Sequence, residues 1–101
     1  MNQTPTESKT EPTNTLYISN LNDKIPLNKL HENLYILFST YGLIIQMNVH
    51  AKIKGQAFIT FSDENEAKLS LRSLQGEKLF GKELKLAFSR NENHIISKKD
   101  Q

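Results

Sequence analysis

From Leu16 onward the apolar residues change spacing several times, and each change marks an element. In Leu16–Leu21, Leu16 and Ile18 alternate with Tyr17 and Ser19, the period-two pattern of a half-buried strand ended by Asn22-Asp23. Over residues 26–41 the spacing becomes helical. Pro26 suits a first turn, and Leu27, Leu30, Leu34, Leu37/Phe38 and Tyr41 form one stripe, with Gly42 expected as a C-cap. A second strand is predicted over Leu43–Val49, with Ile45, Met47 and Val49 facing one way and Gln46, Asn48 and His50 the other. A basic loop, His50–Lys54, leads to a third strand, Gln56–Phe61, in which Ala57, Ile59 and Phe61 alternate with Gln56, Phe58 and Thr60.

Ser62 is the expected N-cap of a second helix. Asp63, Glu64 and Glu66 fill its first turn, where the helix dipole favours acids, and Ala67, Ser70, Leu71 and Leu74 lead to a stop at Gly76. A turn at Phe80-Gly81 precedes a fourth strand over Glu83–Ser89, with Leu84, Leu86 and Phe88 opposed to Lys85 and Ala87. A short helix from Asn91 to about Lys99 would place Ile95 and Ile96 together. The order βαββαβ predicts a ferredoxin-like α+β fold: a four-stranded antiparallel sheet, two helices on one face, and a short C-terminal helix.

The 101 residues suffice for one small domain. Residues 1–14 hold a single apolar residue, Met1, and are expected to be a disordered tail; residues 15–90 form the domain, and residues 91–101 the C-terminal helix and tail. The chain has no cysteine, which excludes disulfides, zinc–thiolate sites and iron–sulfur clusters. It has no apolar run near the ~20 residues that cross a bilayer, and no apolar stretch at its start to serve as a secretory signal. A nuclear or cytosolic address is therefore expected.

The net charge of +2 is too small to name a partner, but its distribution is uneven. Residues 15–90 carry ten Lys or Arg against seven Asp or Glu. Asn33–Ser62 contains no acid, whereas Asp63, Glu64 and Glu66 cluster just beyond it. One basic face suits a polyanion. On charge alone, an ordinary solvated surface with chance clustering is the simpler reading.

The uncovered face of the predicted sheet carries the chemistry. Alternation puts Tyr17, Gln56 and Phe58 there, and exposed strand aromatics suit the stacking of nucleobases, since every base has a π-face. Ser19, Asn20, Gln46, Asn48, Gln56 and Thr60 can hydrogen-bond base edges, and Lys24, Lys52, Lys54, Lys85 and Arg90 can meet phosphates. The competing expectation is that the C-terminal helix buries Tyr17 and Phe58.

These residues carry a resemblance. Lys54-Gly55-Gln56-Ala57-Phe58-Ile59-Thr60-Phe61 resembles the octamer motif of RNA-recognition motif (RRM) domains, and Leu16–Leu21 resembles their hexamer. Gln56 departs from the pattern, standing where most RRMs have an aromatic. Together with Asn14–Ile25, Leu34–Phe38 and Gly76–Lys82, it is similar to the family of U1 snRNP A proteins, U2 snRNP B-double-prime proteins and their insect hybrid, over residues 14–97. Phe80–Leu86 looks closer to the fungal B-double-prime branch, as does a chain ending at Gln101 without the second RRM typical of the A branch.

The resemblance implies a nuclear, non-catalytic spliceosomal protein that binds an snRNA hairpin loop in pre-mRNA splicing. Tyr17, Gln56 and Phe58 would stack loop bases, with Asn48 beside them. Ser19, Asn20, Lys24, Lys85 and Arg90 would contact bases or backbone, and Lys52 and Lys54 would enter the hairpin. It also implies a leucine-rich-repeat A-prime partner on the first helix, near Asn28, Lys29, His31, Glu32 and Tyr35. U2 snRNA is the expected target, with U1 snRNA the alternative. The His50–Lys54 loop looks about two residues shorter than in animal members, Lys54 stands where they usually have Arg, and Asn48 replaces an apolar residue.

Other classes fit less well. His31, His50 and His94 lack neighbours at metal-ligand spacing, so no metal or cofactor is expected. The fold also hosts acylphosphatases, but Leu21-Asn22-Asp23-Lys24 lacks the Arg their phosphate cradle needs. RRM-based modules that bind only protein usually lose the sheet aromatics, and Tyr17 and Phe58 are retained.

Overall fold

A computed structural model describes residues 12–50 and 52–90. Its elements are β1 (Thr15–Ser19), α1 (Leu27–Ser39), β2 (Ile44–Asn48), β3 (Ala57–Phe61), α2 (Glu64–Leu74), β4 (Lys78–Leu79), β5 (Lys82–Glu83) and β6 (Lys85–Phe88). β2, β3, β1 and β6 form one antiparallel sheet in that order, and β4 and β5 form a separate hairpin. This is the expected ferredoxin-like arrangement. The expected C-terminal helix, with Ile95 and Ile96, lies outside the described residues.

β1 runs through the middle, pairing Tyr17 with Phe58 on one side and with Ala87 on the other. Its inward residues Leu16 and Ile18 join Ala57, Ile59, Phe61 and Leu86 of the neighbouring strands in a fully dehydrated layer. α1 lays Leu30, Leu34 and Phe38 onto that layer, and α2 adds Ala67 and Leu74. The Phe38 and Phe61 rings meet at a 6.5 Å centroid separation and a 45° tilt, a favourable aromatic geometry at the heart of the core.

Several local expectations are corrected. Leu27 falls outside the buried stripe and is 41% exposed, because the stripe begins only at Leu30. The second strand is out of phase at its start. Its pairing shifts between Ile44 and Gln46, so Ile44 packs on the core while Ile45 is 60% exposed. A β-bulge adds one residue that strict alternation cannot anticipate. The N-cap of α2 is Asp63, whose carboxylate accepts from Glu66 N–H at 2.9 Å. Ser62 instead donates its hydroxyl to Glu66 Oε1 at 2.6 Å. Thr13 and Asn14, placed in the tail by composition, are hydrogen-bonded into the sheet. The Thr13 hydroxyl reaches Ser89 O at 2.8 Å, and Asn14 Nδ2 donates to Phe61 O at 3.0 Å.

Gly42 is needed for a different reason from the one expected. α1 ends at a right-handed Thr40 cap, so no left-handed glycine closes it. A Cβ at Gly42 would instead lie 2.6 Å from Glu66 Cβ and 2.9 Å from a Phe61 ring carbon. The Glu66 carboxylate also accepts from Leu43 N–H at 3.1 Å, so the turn after α1 is bound to the start of α2 with no room for a side chain. Gly42→Ala is expected to destabilise the fold by about 1–3 kcal/mol, the usual cost of overpacking. Urea unfolding measures the loss, which should appear as a lower midpoint at unchanged slope.

Candidate nucleic-acid interface

Cross-strand pairing determines what the face without α1 and α2 presents. Its central row runs Asn48, Phe58, Tyr17, Ala87 across all four strands. Phe58 and Tyr17 are half-buried, 5.2 Å apart at their centroids and tilted by 45°. They leave two neighbouring π-surfaces at the middle of the sheet. Towards one end follow Gln46, Thr60 and Thr15, where the Thr15 and Thr60 hydroxyls share a 2.8 Å hydrogen bond. Towards the other end lie Ser19 and Lys85, which are paired, with Gln56 immediately before β3.

The lysines gather at the Ser19 end. Leu21 N–H donates to Gly55 O at 3.1 Å, which brings the β1–α1 loop against the start of β3. Lys24 is on the first of these segments and Lys52 and Lys54 on the loop before the second, all exposed, and exposed Lys85 opens β6 beside them. The β4–β5 hairpin joins the same end, because Asn22 Nδ2 donates to Phe80 O at 3.0 Å. It brings Lys82, also exposed, a cation that the strand pattern alone did not single out. Its signal was the basic content of a hairpin whose position depends on tertiary contacts.

Arg90 does not belong to this group. β6 runs away from Lys85, and Ser89 N–H donates to Thr15 O at 2.9 Å at the opposite end. At ~3.3 Å per residue along the strand, Arg90 lies roughly 16 Å from Lys85. The acids Asp63, Glu64 and Glu66 also cluster at that far end, where β3 leads into α2. The face is therefore polarised along its strands, basic at one end and acidic at the other.

Two of the expected base-reading groups are already engaged. Asn20 Nδ2 donates to Glu83 O at 2.8 Å, and Ser19 Oγ makes a longer 3.4 Å contact to Lys85 O. Asn20 also holds a φ of +65°, the left-handed conformation that Asn tolerates better than most residues and that ends β1. Its structural work is to turn the chain and hold the hairpin. The β2–β3 loop closes on itself through Ile53 N–H to His50 O and Gln56 N–H to Ile53 O, both 3.1 Å. Beneath it a recess of about 100 Å³ is walled mainly by Ile25, Leu27, Leu30, Val49 and Ile53. Asn28, Lys29, His31, Glu32 and Tyr35 are all exposed on α1, away from the sheet. Among the described residues, no group of three or more His, Cys, Asp or Glu side chains is placed to hold a metal ion.

An antiparallel sheet with α1 and α2 on one face, two central aromatics on the other and a basic loop end defines the RNA-recognition-motif class, and residues 16–85 match the family described as RNA recognition motif. The chain belongs to that family, in the branch of the U1 A and U2 B-double-prime snRNP proteins. It is 40% identical over 84% of its length to a probable U2 small nuclear ribonucleoprotein B'' of Schizosaccharomyces pombe, 78% of which it spans. It is 36% identical to the U1 small nuclear ribonucleoprotein A of Drosophila melanogaster over 86% of its own length, but spans only 41% of that protein. Among solved structures, a complete computational redesign of human U1A superposes with a TM-score of 0.74 at 30% identity, covering 88% of this chain and 95% of the redesign.

Asn20→Ala is expected to cost about 1–2 kcal/mol of stability, the sum of left-handed strain and a lost hydrogen bond. Asn20→Gly keeps the backbone conformation at no steric cost and should lose less. Thermal denaturation of the two variants side by side checks the order.

Proposed function

We propose that this domain binds an snRNA hairpin loop as a component of the nuclear, spliceosomal U2 snRNP, acting in pre-mRNA splicing together with a leucine-rich-repeat partner. The adjoining Tyr17 and Phe58 rings carry the reading: two half-buried aromatics at the centre of the sheet face that carries neither α1 nor α2 suit successive unpaired bases. Gln56 and Asn48 flank them as amides able to meet base edges. Lys24, Lys52, Lys54, Lys82 and Lys85 lie where a backbone entering from the β2–β3 loop would pass. A U1 hairpin is the second reading, favoured by the likeness to the Drosophila protein named for U1. Side-by-side titration of hairpins carrying U1 and U2 loops separates the two.

The partner surface in this reading is the exposed side of α1. Asn28, Lys29, His31, Glu32 and Tyr35 are all exposed on this helix, outside the buried stripe of Leu30, Leu34 and Phe38, and Tyr35 and Ile36 are 48% and 62% exposed. An aromatic and a branched aliphatic exposed side by side are anchors of the kind that protein interfaces bury. This surface lies on the opposite side of the sheet from Tyr17 and Phe58, so protein and RNA can bind at once.

Phe58→Ala should weaken hairpin binding by about 1–3 kcal/mol, the worth of one base–aromatic stack. With about four lysines on phosphates, affinity should fall with salt at a log–log slope near −3 in both proteins, because stacking is not ionic. Unchanged affinity in the variant would remove the stacking role.

A shorter loop and Lys54 in place of Arg imply weak selectivity by the isolated domain, since Lys lacks the planar fork that reads guanine bidentately. Titrating one hairpin at fixed salt, with and without the leucine-rich-repeat protein, should show tighter and more selective binding in the complex. Lys54→Arg should sharpen selectivity more in the isolated domain than in the complex. Tight, selective binding that ignores the partner is the opposing result.

A further inference from the structure

β6 is an edge strand, and one side chain supplies the neighbour it lacks. Strand pairing with β1 engages the peptide groups of Lys85 and Ala87, so those of Leu84 and Leu86 point outward, away from the sheet. Leu86 is met by the side-chain amide of Gln75, the residue that caps α2. Gln75 Oε1 accepts from Leu86 N–H at 2.7 Å, and Gln75 Nε2 donates to Leu86 O at 2.8 Å. The two bonds are those that a peptide group of a further strand would make. Next to them the chain itself takes over: Gly76 N–H donates to Leu84 O at 3.0 Å and Leu84 N–H to Glu77 O at 2.8 Å. Gly76 holds a φ of +82°, which lets the chain leave the helix at this point and run beside the strand. Buried Leu84 and Leu86 are thus held on the outer edge of the strand, while the outward-facing Lys85 between them is paired with Ser19 of β1 on the inner edge.

We propose that Gln75 is a positioning residue of the RNA-binding face. Its amide stands in for a missing strand, holds β6 against β1, and so sets the place of Lys85 at the basic end of the sheet. Gln75 does not touch the RNA; it acts through Leu86 on the strand that carries Lys85 and Ala87. The inference rests on the RNA reading above for its consequence, but the clamp itself belongs to the free protein and is tested there.

The full chain is compared with Gln75→Ala and Gln75→Glu. In the free protein, Gln75→Ala should speed amide exchange of Leu86 about tenfold relative to β3 amides, the effect of losing a hydrogen bond of ordinary strength. Gln75→Glu keeps the acceptor but sets a second carboxylate oxygen against Leu86 O. Protonation below about pH 4.3 restores the donor, so Leu86 protection, referred to its intrinsic rate, should recover there in Gln75→Glu and not in Gln75→Ala. With a synthetic RNA hairpin carrying a U2 snRNA loop, well below the unfolding temperature, Gln75→Ala should reduce the log–log salt slope by about 0.7, one phosphate contact. Lys85→Ala should then add little on the Gln75→Ala background. Phe58→Ala on the same hairpin is the control for the RNA reading: if it binds like the parent, that reading fails while the exchange data still decide the clamp. Unchanged Leu86 exchange, or an unchanged slope with fully additive Gln75→Ala and Lys85→Ala effects, overturns the proposal.

Discussion

The whole molecule depends on the pairing of β1 with two neighbours at once. Leu16, Tyr17 and Ile18 pair with β3 on one side and β6 on the other, and their alternation assigns every neighbouring strand its two faces. Leu16 and Ile18 must point at the helices, because only there can they leave water, and Tyr17 is then forced outward together with Phe58 and Ala87. A slip of one residue would exchange the core for the binding face, so burial of the apolar set is what holds the aromatics in place. Core and site are two sides of one register.

The polarity of the face follows from the same topology. Antiparallel order brings the β1–α1 loop, the β2–β3 loop and the β4–β5 hairpin to one end, and the start of α2 to the other. Lysines scattered from position 24 to position 85 thereby converge, while Asp63, Glu64 and Glu66, placed by the needs of a helix N-terminus, are kept away from them. Charge that looks weak over the whole chain becomes a directed field, basic where a nucleic-acid backbone would enter.

Side-chain amides complete what the strands leave open. Asn14 pairs with Phe61, Asn20 with Glu83, Asn22 with Phe80 and Gln75 with Leu86, each meeting a main-chain carbonyl. In a domain this small, connections are short and strand edges form a large share of the backbone. Buried or half-buried peptide groups must still be satisfied, and an amide of adjustable reach does so where no further strand exists.

The four strands of the main sheet, both helices, the paired aromatics and the family were legible in the sequence, because each rests on local periodicity or on a contiguous motif such as Lys54–Phe61; the small β4–β5 hairpin read only as a turn at Phe80-Gly81. The β2 bulge at Ile45, the exposure of Leu27, the exchange of capping roles between Ser62 and Asp63, and the hydrogen bonds of Thr13 and Asn14 were not, since each depends on a partner far along the chain. The separation of Arg90 from the lysines, the arrival of Lys82 beside them, and the engagement of Asn20 and Gln75 with distant carbonyls have the same origin. Spacing along a chain determines which residues share a face of one element. Which ends of different elements meet, and which polar side chains are already occupied there, is decided only when the sheet closes its register and the loops must find partners for their peptide groups.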